Sequence, residues 1–327
     1  MKKSGSIKVG IVGLGNIAQA YDTPSGDAIT THVKACIAEP LIDIAWVSDI
    51  NKKKAEDVCR TWNIDAQILD AESAARKSAD IVCIASPDNT HTDWVKIFLN
   101  AHPKIIFCEK PLAANASEHR MLIELAAERK KTLVINYMRR WLPGVRAWLK
   151  AAAAGDIGGA QEGTVNYCRG LRHNACHGFD LIGSAMGSAI KTVTHTGSPF
   201  DDFSANDLTT SGEMILEVRG RSVPVRFKGF DGRERFVFDI NVKFENGRLK
   251  ISTEDGCLVC SMSGPGEAYH MFRDDPPQHM SFVWANLAAH LVNAEPLASQ
   301  AVESLAGAVL VDAAAAAQGQ AVGTSNE

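Results

Sequence analysis

The first 140 residues alternate between short apolar runs and longer stretches whose apolar residues recur on a helical period. Ile7 to Val12, Ile44 to Val47, Ile81 to Ala85, Ile105 to Cys108 and Leu133 to Asn136 read as strands without the polar alternation of a half-solvated sheet. Between them, Ala71 to Ser78, Trp94 to Asn100 and Glu118 to Lys130 carry helical spacing, and Lys52, Lys53 and Lys54 read as the solvated start of a further helix. Apolar strands separated by helices predict a parallel, doubly wound sheet covered on both faces. Ligands in such sheets bind beyond the carboxyl ends of the strands.

The second half has a different rhythm. Gly163 to Arg169, Glu213 to Arg219, Val223 to Lys228, Arg235 to Phe244 and Leu249 to Thr253 are long strand-like runs, several joined by glycine turns, with Asn246-Gly247 as a hairpin signal. A meander of this kind predicts one broad, predominantly antiparallel sheet with a solvated face, which suits a homo-oligomer (dimer or tetramer) interface. Ser281 to Asn293 and Gln300 to Gln318 read as helices, and the Ala-rich stretches 151–154 and 313–317 are helix composition. The expected organisation is an α/β domain over 1–137 and an α+β domain over 138–327, with helix 300–318 packing back on the first.

Composition narrows the classes. The chain has 327 residues, 46% hydrophobic and 22% charged, with a net charge of -4. That is room for two cored domains, excludes wholesale disorder, and offers no basic field for nucleic acid or an anionic membrane. Met1-Lys2-Lys3 leads into Ser-Gly-Ser rather than a signal-peptide core, and Leu305 to Ala317 is too short to span a bilayer. Eight cysteines scattered through strand-like and helix-like runs read as buried thiols of a reducing cytoplasm. Cys257 and Cys260 form a lone C-x-x-C, without the second pair a zinc ribbon needs.

The candidate chemistry begins where the first strand ends. Gly13-Leu14-Gly15-Asn16-Ile17-Ala18 is a G-x-G-x-x-A turn: the first glycine allows the tight bend, the second lets backbone approach a pyrophosphate, and the small residue allows close helix packing. Asp49, just past the second strand, would accept hydrogen bonds from a ribose diol and repel a 2′-phosphate, which favours NAD over NADP. It lies further on than the usual spacing of about 20 residues. The excess falls in Tyr21 to Asp27, whose Pro24 and Gly26 break the first helix. The polar loops 86–91 and 109–111 also follow strands directly, and should face the same crevice as Gly13 and Gly15.

Gly10 to Ala18, Ser86-Pro87-Asp88-Asn89-Thr90-His91 and Glu109-Lys110-Pro111-Leu112 together resemble the glucose–fructose oxidoreductase / inositol dehydrogenase / rhizopine-catabolism (Gfo/Idh/MocA) family. The resemblance is close over the first half and looser after Trp141-Leu142-Pro143 and Gly155-Asp156-Ile157-Gly158. It implies a Rossmann domain, a second domain on an open antiparallel sheet, and NAD(P)-linked oxidation or reduction of a sugar, polyol or related carbon. It also implies that Gly13, Gly15, Asn16 and Ile17 hold the pyrophosphate and Asp49 the adenosine ribose. Ser86, Asn89 and His91 would lie along the cofactor, Glu109 would touch the nicotinamide ribose, and Lys110 would face both cofactor and substrate. The Lys110–Pro111 bond is often cis in such proteins.

In the same family a His heads a helix in the second domain. Aligned on His177, Asp180 falls in register, while His173 and Ala175 stand where the family often has Asp and Gly. An imidazole titrates near neutral pH, so His177 is the expected proton acceptor, and Lys110 the cation that holds a developing alkoxide. Tyr137, Arg139, Arg169, His173, Asn174 and Asp180 are the expected substrate-side residues, with Arg140 and Arg172 as further cations near strand ends. Two alternatives stand beside the oxidoreductase: a non-catalytic NAD(P)/sugar sensor on the same scaffold, and a zinc hydrolase. The second rests on His173, Cys176, His177 and Asp180 sharing a helix face, but Asn174 stands where such a motif needs a glutamate, so no metal is expected.

Overall fold

β1 (Ile7–Val12), β2 (Ile42–Ser48), β3 (Gln67–Leu69), β4 (Ile81–Ile84), β5 (Ile105–Cys108) and β6 (Thr132–Ile135) pair in parallel in the order 3-2-1-4-5-6. α1 (His32–Ala38), α2 (Lys52–Thr61), α3 (Ala71–Arg76), α4 (His91–Leu99) and α5 (Ala116–Glu128) lie between them. The computed structural model describes residues 6–101, 103–264 and 267–316, with the backbone alone for 267–270. The leader reading at Met1-Lys2-Lys3 and the last two residues of the expected helix 300–318 lie outside the described residues.

Local causes are visible in each element. Every residue of β4 and β5 is buried, as their unbroken apolar runs require. Gly10 sits inside β1 because the indole of Trp46 lies across it, and a Cβ there would collide with the ring. Asn51, Asp70 and Asn115 cap α2, α3 and α5 by accepting from Lys54, Ser73 and Glu118 N–H at 3.1, 2.7 and 2.9 Å.

The first helix is interrupted as expected. Only a π-helical turn, Asn16–Ala20, follows the glycine loop. Residues 21–31 then form a loop gathered by Asp22, which accepts from the N–H and hydroxyl of both Thr30 and Thr31 at 2.7–2.8 Å. The helix resumes at His32, an element the apolar pattern does not single out.

The second sheet follows α6 (Val145–Ala154). It comprises β7 (Ala160–Tyr167), β8 (Ile190–His195), β9 (Gly212–Val218), β10 (Arg221–Gly229), β11 (Phe238–Phe244), β12 (Gly247–Glu254), β13 (Cys257–Gly264) and β14 (Glu267–Asp274), in the order 14-13-12-11-7-10-9-8. α7 (Cys176–Met186) packs on β7, where Gly178 admits the side chain of Val165. The meander is therefore interrupted: β7 enters between β10, which it pairs in parallel, and β11, which it pairs antiparallel. The hairpin at 246–247 is present, but its two turn residues are Glu245 and Asn246. Gly247 belongs to β12, where a Cβ would stand 2.8 Å from Ile157, so close packing and not turn chemistry requires the glycine.

α8 (His279–Asn293) and α9 (Ala301–Ala316) complete the chain. It divides into one unit of residues up to 142 with 275–302, and a second of 143–274 with 303 onward. This differs from the expected division. α8 returns to the first unit, where Met280, Val283, Trp284, Leu287 and Ala288 join the core of Val9, Ile11 and Phe107. Most of α9 belongs to the second, where Gly307 lets it approach the backbone of α7 at Asp180. Among the described residues no helix is long and apolar enough to cross a membrane.

Candidate functional site

The loop after β1 is tied to the ends of its neighbours. Gly13 has φ +85, and a Cβ on it would stand 2.5–2.7 Å from the backbone of Ala85 and Ser86, so both conformation and crowding demand glycine. Its N–H donates to the carbonyl of Ser48 at 2.8 Å. At Gly15 the opposite holds: a Cβ would meet nothing within 4 Å. Asn16 is exposed and Ile17 half-buried.

Asp49 faces this loop. Its Oδ2 accepts from Leu14 N–H at 2.8 Å and lies 3.3 Å from the Lys54 ammonium, while Oδ1 accepts from Asn51 N–H at 2.9 Å. An ionised carboxylate has about four acceptor positions, so room for a further donor remains on Oδ1.

The ends of β4 and β5 are joined by His91. Its Nδ1 lies 2.7 Å from the Pro111 carbonyl and its Nε2 2.9 Å from the Ser86 carbonyl. Carbonyl oxygens only accept, so both nitrogens must carry hydrogen and the ring is an imidazolium. Burial works against that charge; the Cys108 sulfur and the two carbonyls outweigh it and raise the pKa from 6.5 to about 10. Its ring is fully buried with both nitrogens engaged, so His91 ties the two strand-end loops together. Ser86 shares a 2.7 Å hydrogen bond with Thr90, and Asn89 is exposed.

Glu109 is buried and the next peptide bond, Lys110–Pro111, is cis. Oε1 lies 2.8 Å from Nε2 of His32 and accepts from the Asn136 amide at 2.6 Å; Oε2 accepts weakly from the N–H of Lys110 at 3.3 Å. Burial pushes the carboxyl pKa up, but the hydrogen bonds from His32 and Asn136 and the nearby Lys110 ammonium bring it below its usual value. Tyr137 and Arg139 are buried, as is Arg140.

These observations test whether a dinucleotide fits. Space stands open above Gly15, where close approach to a pyrophosphate is needed. An acceptor remains on Asp49 for a ribose, and Oε2 of Glu109 is not saturated. The residues fit such a group, and the joined ends of β1, β2, β4 and β5 are where this topology places it.

In the second unit the loop after β7 is organised by acidic residues the sequence does not announce. Asp202 accepts from the N–H groups of Arg169 and Gly232 and from the Thr209 hydroxyl at 2.5–2.9 Å. Asp207 accepts from Arg172 and His173 N–H at 2.9 and 2.7 Å, satisfying donors at the start of a π-helical turn, Leu171–Ala175. Arg169 is exposed over the Phe236 ring, and Arg172 pairs with Asp312 at 2.8 Å. His173 stacks on Phe203 at 4.3 Å, and the Asn174 amide donates to the Cys168 carbonyl at 2.9 Å. His177 and Asp180 are buried on α7, His177 edge-on to Phe238.

The π-helical turn breaks the helix face proposed for a metal, because His173 precedes α7 and Cys176 directs its sulfur to the His173 carbonyl. Among the described residues no group of three or more His, Cys, Asp or Glu side chains is placed to hold a metal ion. His32, Trp284, Asn136, Asp202 and Asp207 escape the sequence reading. Only Asn136, polar at the end of an apolar strand, carries a local signal.

Residues 7–137 match the family model described as an oxidoreductase family with an NAD-binding Rossmann fold, Gfo/Idh/MocA. Over 333 aligned residues the chain is 23% identical to inositol 2-dehydrogenase of Rhizobium meliloti, covering 94% of this chain and 96% of the relative. Other inositol 2-dehydrogenases match at 29–31% identity, but over only 42–43% of their length. Two solved structures share the fold. An Agrobacterium radiobacter oxidoreductase in complex with NAD+, L-tartaric acid and magnesium superposes with TM-score 0.68, 16% identity, and 96% and 97% of the two chains covered. A 3-ketoreductase from Actinomadura kijaniata in complex with NADP superposes with TM-score 0.67, 17% identity, and 95% and 98% covered.

Proposed function

Because this chain belongs to the Gfo/Idh/MocA oxidoreductase family, as an NAD(P)-dependent dehydrogenase or reductase of CH–OH groups, we propose that it acts on a ring alcohol of a polyol or sugar-like substrate and prefers NAD. The observation that carries the reading is the linked set of strand-end loops, from the open space at Gly15 to Glu109 and Lys110. Asp49 supports the preference for NAD, since its carboxylate would repel a 2′-phosphate. The R. meliloti relative, alike along nearly its whole length, is named an inositol 2-dehydrogenase, and a cyclic polyol is the substrate class we infer from it.

When bound, the nicotinamide supplies the hydride chemistry. The chain supplies charge and a proton acceptor: Lys110 sets its ammonium against the oxygen that becomes anionic, and His177 takes the hydroxyl proton. Tyr137, Arg139, Arg169, His173, Asn174 and Asp180 are proposed to contact the substrate. The polar face of the second sheet, with Asp239, Asn241, Arg248 and Lys250 about a cleft of 290 Å³, is proposed as a homo-oligomer contact, and the free cysteines suit the cytoplasm.

The test mixes the purified chain with NAD or NADP and a panel of inositols, sugars and sugar acids, and follows reduced-nicotinamide absorbance. Turnover of a cyclic polyol with NAD, falling at least about a hundredfold in Lys110→Ala and in His177→Ala, with nucleotide affinity retained in His177→Ala, is the expected result. Tight nucleotide binding without turnover of any panel member would point to the sensor instead.

A further inference from the structure

Oε1 of Glu109 meets two side chains from distant parts of the chain, His32 and Asn136, and a third, Trp284, stands behind His32. His32 opens α1, Asn136 follows β6, and Trp284 stands on α8. The Trp284 indole N–H lies 3.2 Å from Nδ1 of His32, whose Nε2 lies 2.8 Å from Oε1 of Glu109. An indole nitrogen donates and never accepts, so Nδ1 of His32 must present its lone pair; the hydrogen then sits on Nε2 and is donated to the carboxylate. The ring is fully buried and stands edge-on to Phe107 and Trp284, at centroid distances of 5.4 and 5.9 Å, which holds its plane. Asn136 donates to the same carboxylate oxygen.

We propose that His32, locked by Trp284 in its neutral Nε2–H form, is a positioning residue for Glu109. It occupies Oε1 from behind, together with Asn136, and leaves Oε2 as the acceptor for a ribose hydroxyl of the nicotinamide nucleoside. The assignment rests on the cofactor reading given above. Two fixed donors on one oxygen prevent the carboxylate from rotating and keep it ionised, so a bound nucleoside meets an acceptor of set direction and charge. A tautomer with hydrogen on Nδ1 would lose the indole donor and turn a lone pair toward a carboxylate. An imidazolium would oppose its Nδ1–H to the indole N–H.

The chain labelled with 15N-histidine, without nucleotide, tests the first half directly. The His32 signals, identified by their loss in His32→Gln, should report a neutral ring protonated on Nε2. In Trp284→Phe that pattern should give way to a mixture of forms. For the second half, NAD binding is measured by titration calorimetry. His32→Leu should weaken it about tenfold, whereas His32→Gln, which can accept from the indole and donate to Glu109, should restore most of it. A wild-type His32 found as the Nδ1–H tautomer or as imidazolium overturns the assignment while leaving the cofactor reading intact. So does a folded His32→Leu with wild-type affinity. A wild-type chain that binds no dinucleotide overturns both.

Discussion

His91 Nδ1 stands 2.7 Å from the Pro111 carbonyl oxygen, so the turn that carries Lys110 is held by a buried cation. The second nitrogen grips Ser86, and the one ring spans the loops after β4 and β5. A buried positive charge with carbonyl partners makes stability depend on pH. The folded pKa of about 10 lies above the ordinary 6.5, so the contribution is complete below about 6.5 and is lost as pH climbs through about 10. Urea unfolding at a series of pH values should show this decline, on the order of a few kcal/mol. The decline should flatten in His91→Gln, and an equal slope in both proteins would contradict the imidazolium.

The two glycines of the first loop should part company on substitution. Gly13→Ala forces an L side chain to φ +85 against backbone 2.5–2.7 Å away, and should destabilise the chain by about 2 kcal/mol or more. Gly15→Ala places its methyl in open space, so stability should stay within about 0.5 kcal/mol. Its NAD affinity should nonetheless fall at least about tenfold, because the methyl takes the place of the pyrophosphate. Thermal unfolding and calorimetric titration of the same preparations separate the two effects. Unchanged affinity in Gly15→Ala would place the phosphates elsewhere.

Asp49 has two duties that one variant can separate. Asp49→Ser removes the charge that opposes a 2′-phosphate and frees Lys54, so the ratio of NADP to NAD affinity should rise about tenfold or more. Losing the acceptor of Leu14 N–H should also cost about 1 kcal/mol of stability. Paired titrations with the two nucleotides check the first and denaturation the second. A ratio that does not move would remove Asp49 from cofactor choice.

Asp22 should matter more than a loop carboxylate usually does. Asp22→Ala leaves two backbone N–H groups and two hydroxyls of Thr30 and Thr31 without their acceptor, and should cost about 2–4 kcal/mol. Hydrogen exchange at residues 30 and 31 should accelerate, with Asp22→Asn intermediate. Unaltered exchange would show that docking of the loop on 277–280, where Ile29 N–H donates to Pro277 at 2.7 Å, is sufficient alone.

Much of the first unit was legible because its signals are local. The apolar runs from Ile7 and Ile105 begin and end where β1 and β5 do, since a strand covered on both faces needs apolar residues without alternation. Gly13, Asp49, Glu109 and Lys110 could be placed at strand ends for the same reason. Strand order in the second sheet was not legible: β7 pairs with β10 and β11 across tens of residues, and nothing in Ala160–Tyr167 names its partners. At Gly247 the signalled hairpin is present, with Glu245 and Asn246 as its turn residues, but the reason for the glycine is a different one. The crowding of Ile157 accounts for it.

By itself, the amino-acid order determined which segments pair their backbones within buried strands, where the chain turns at glycines, and that a polar loop follows each apolar strand, because those outcomes depend on neighbours a few residues apart. The tertiary structure alone decided the protonation of His91 and the tautomer of His32. A histidine's charge is set by whichever donors and acceptors meet its two nitrogens, and here they come from Ser86, Pro111, Glu109 and Trp284, up to 252 residues away.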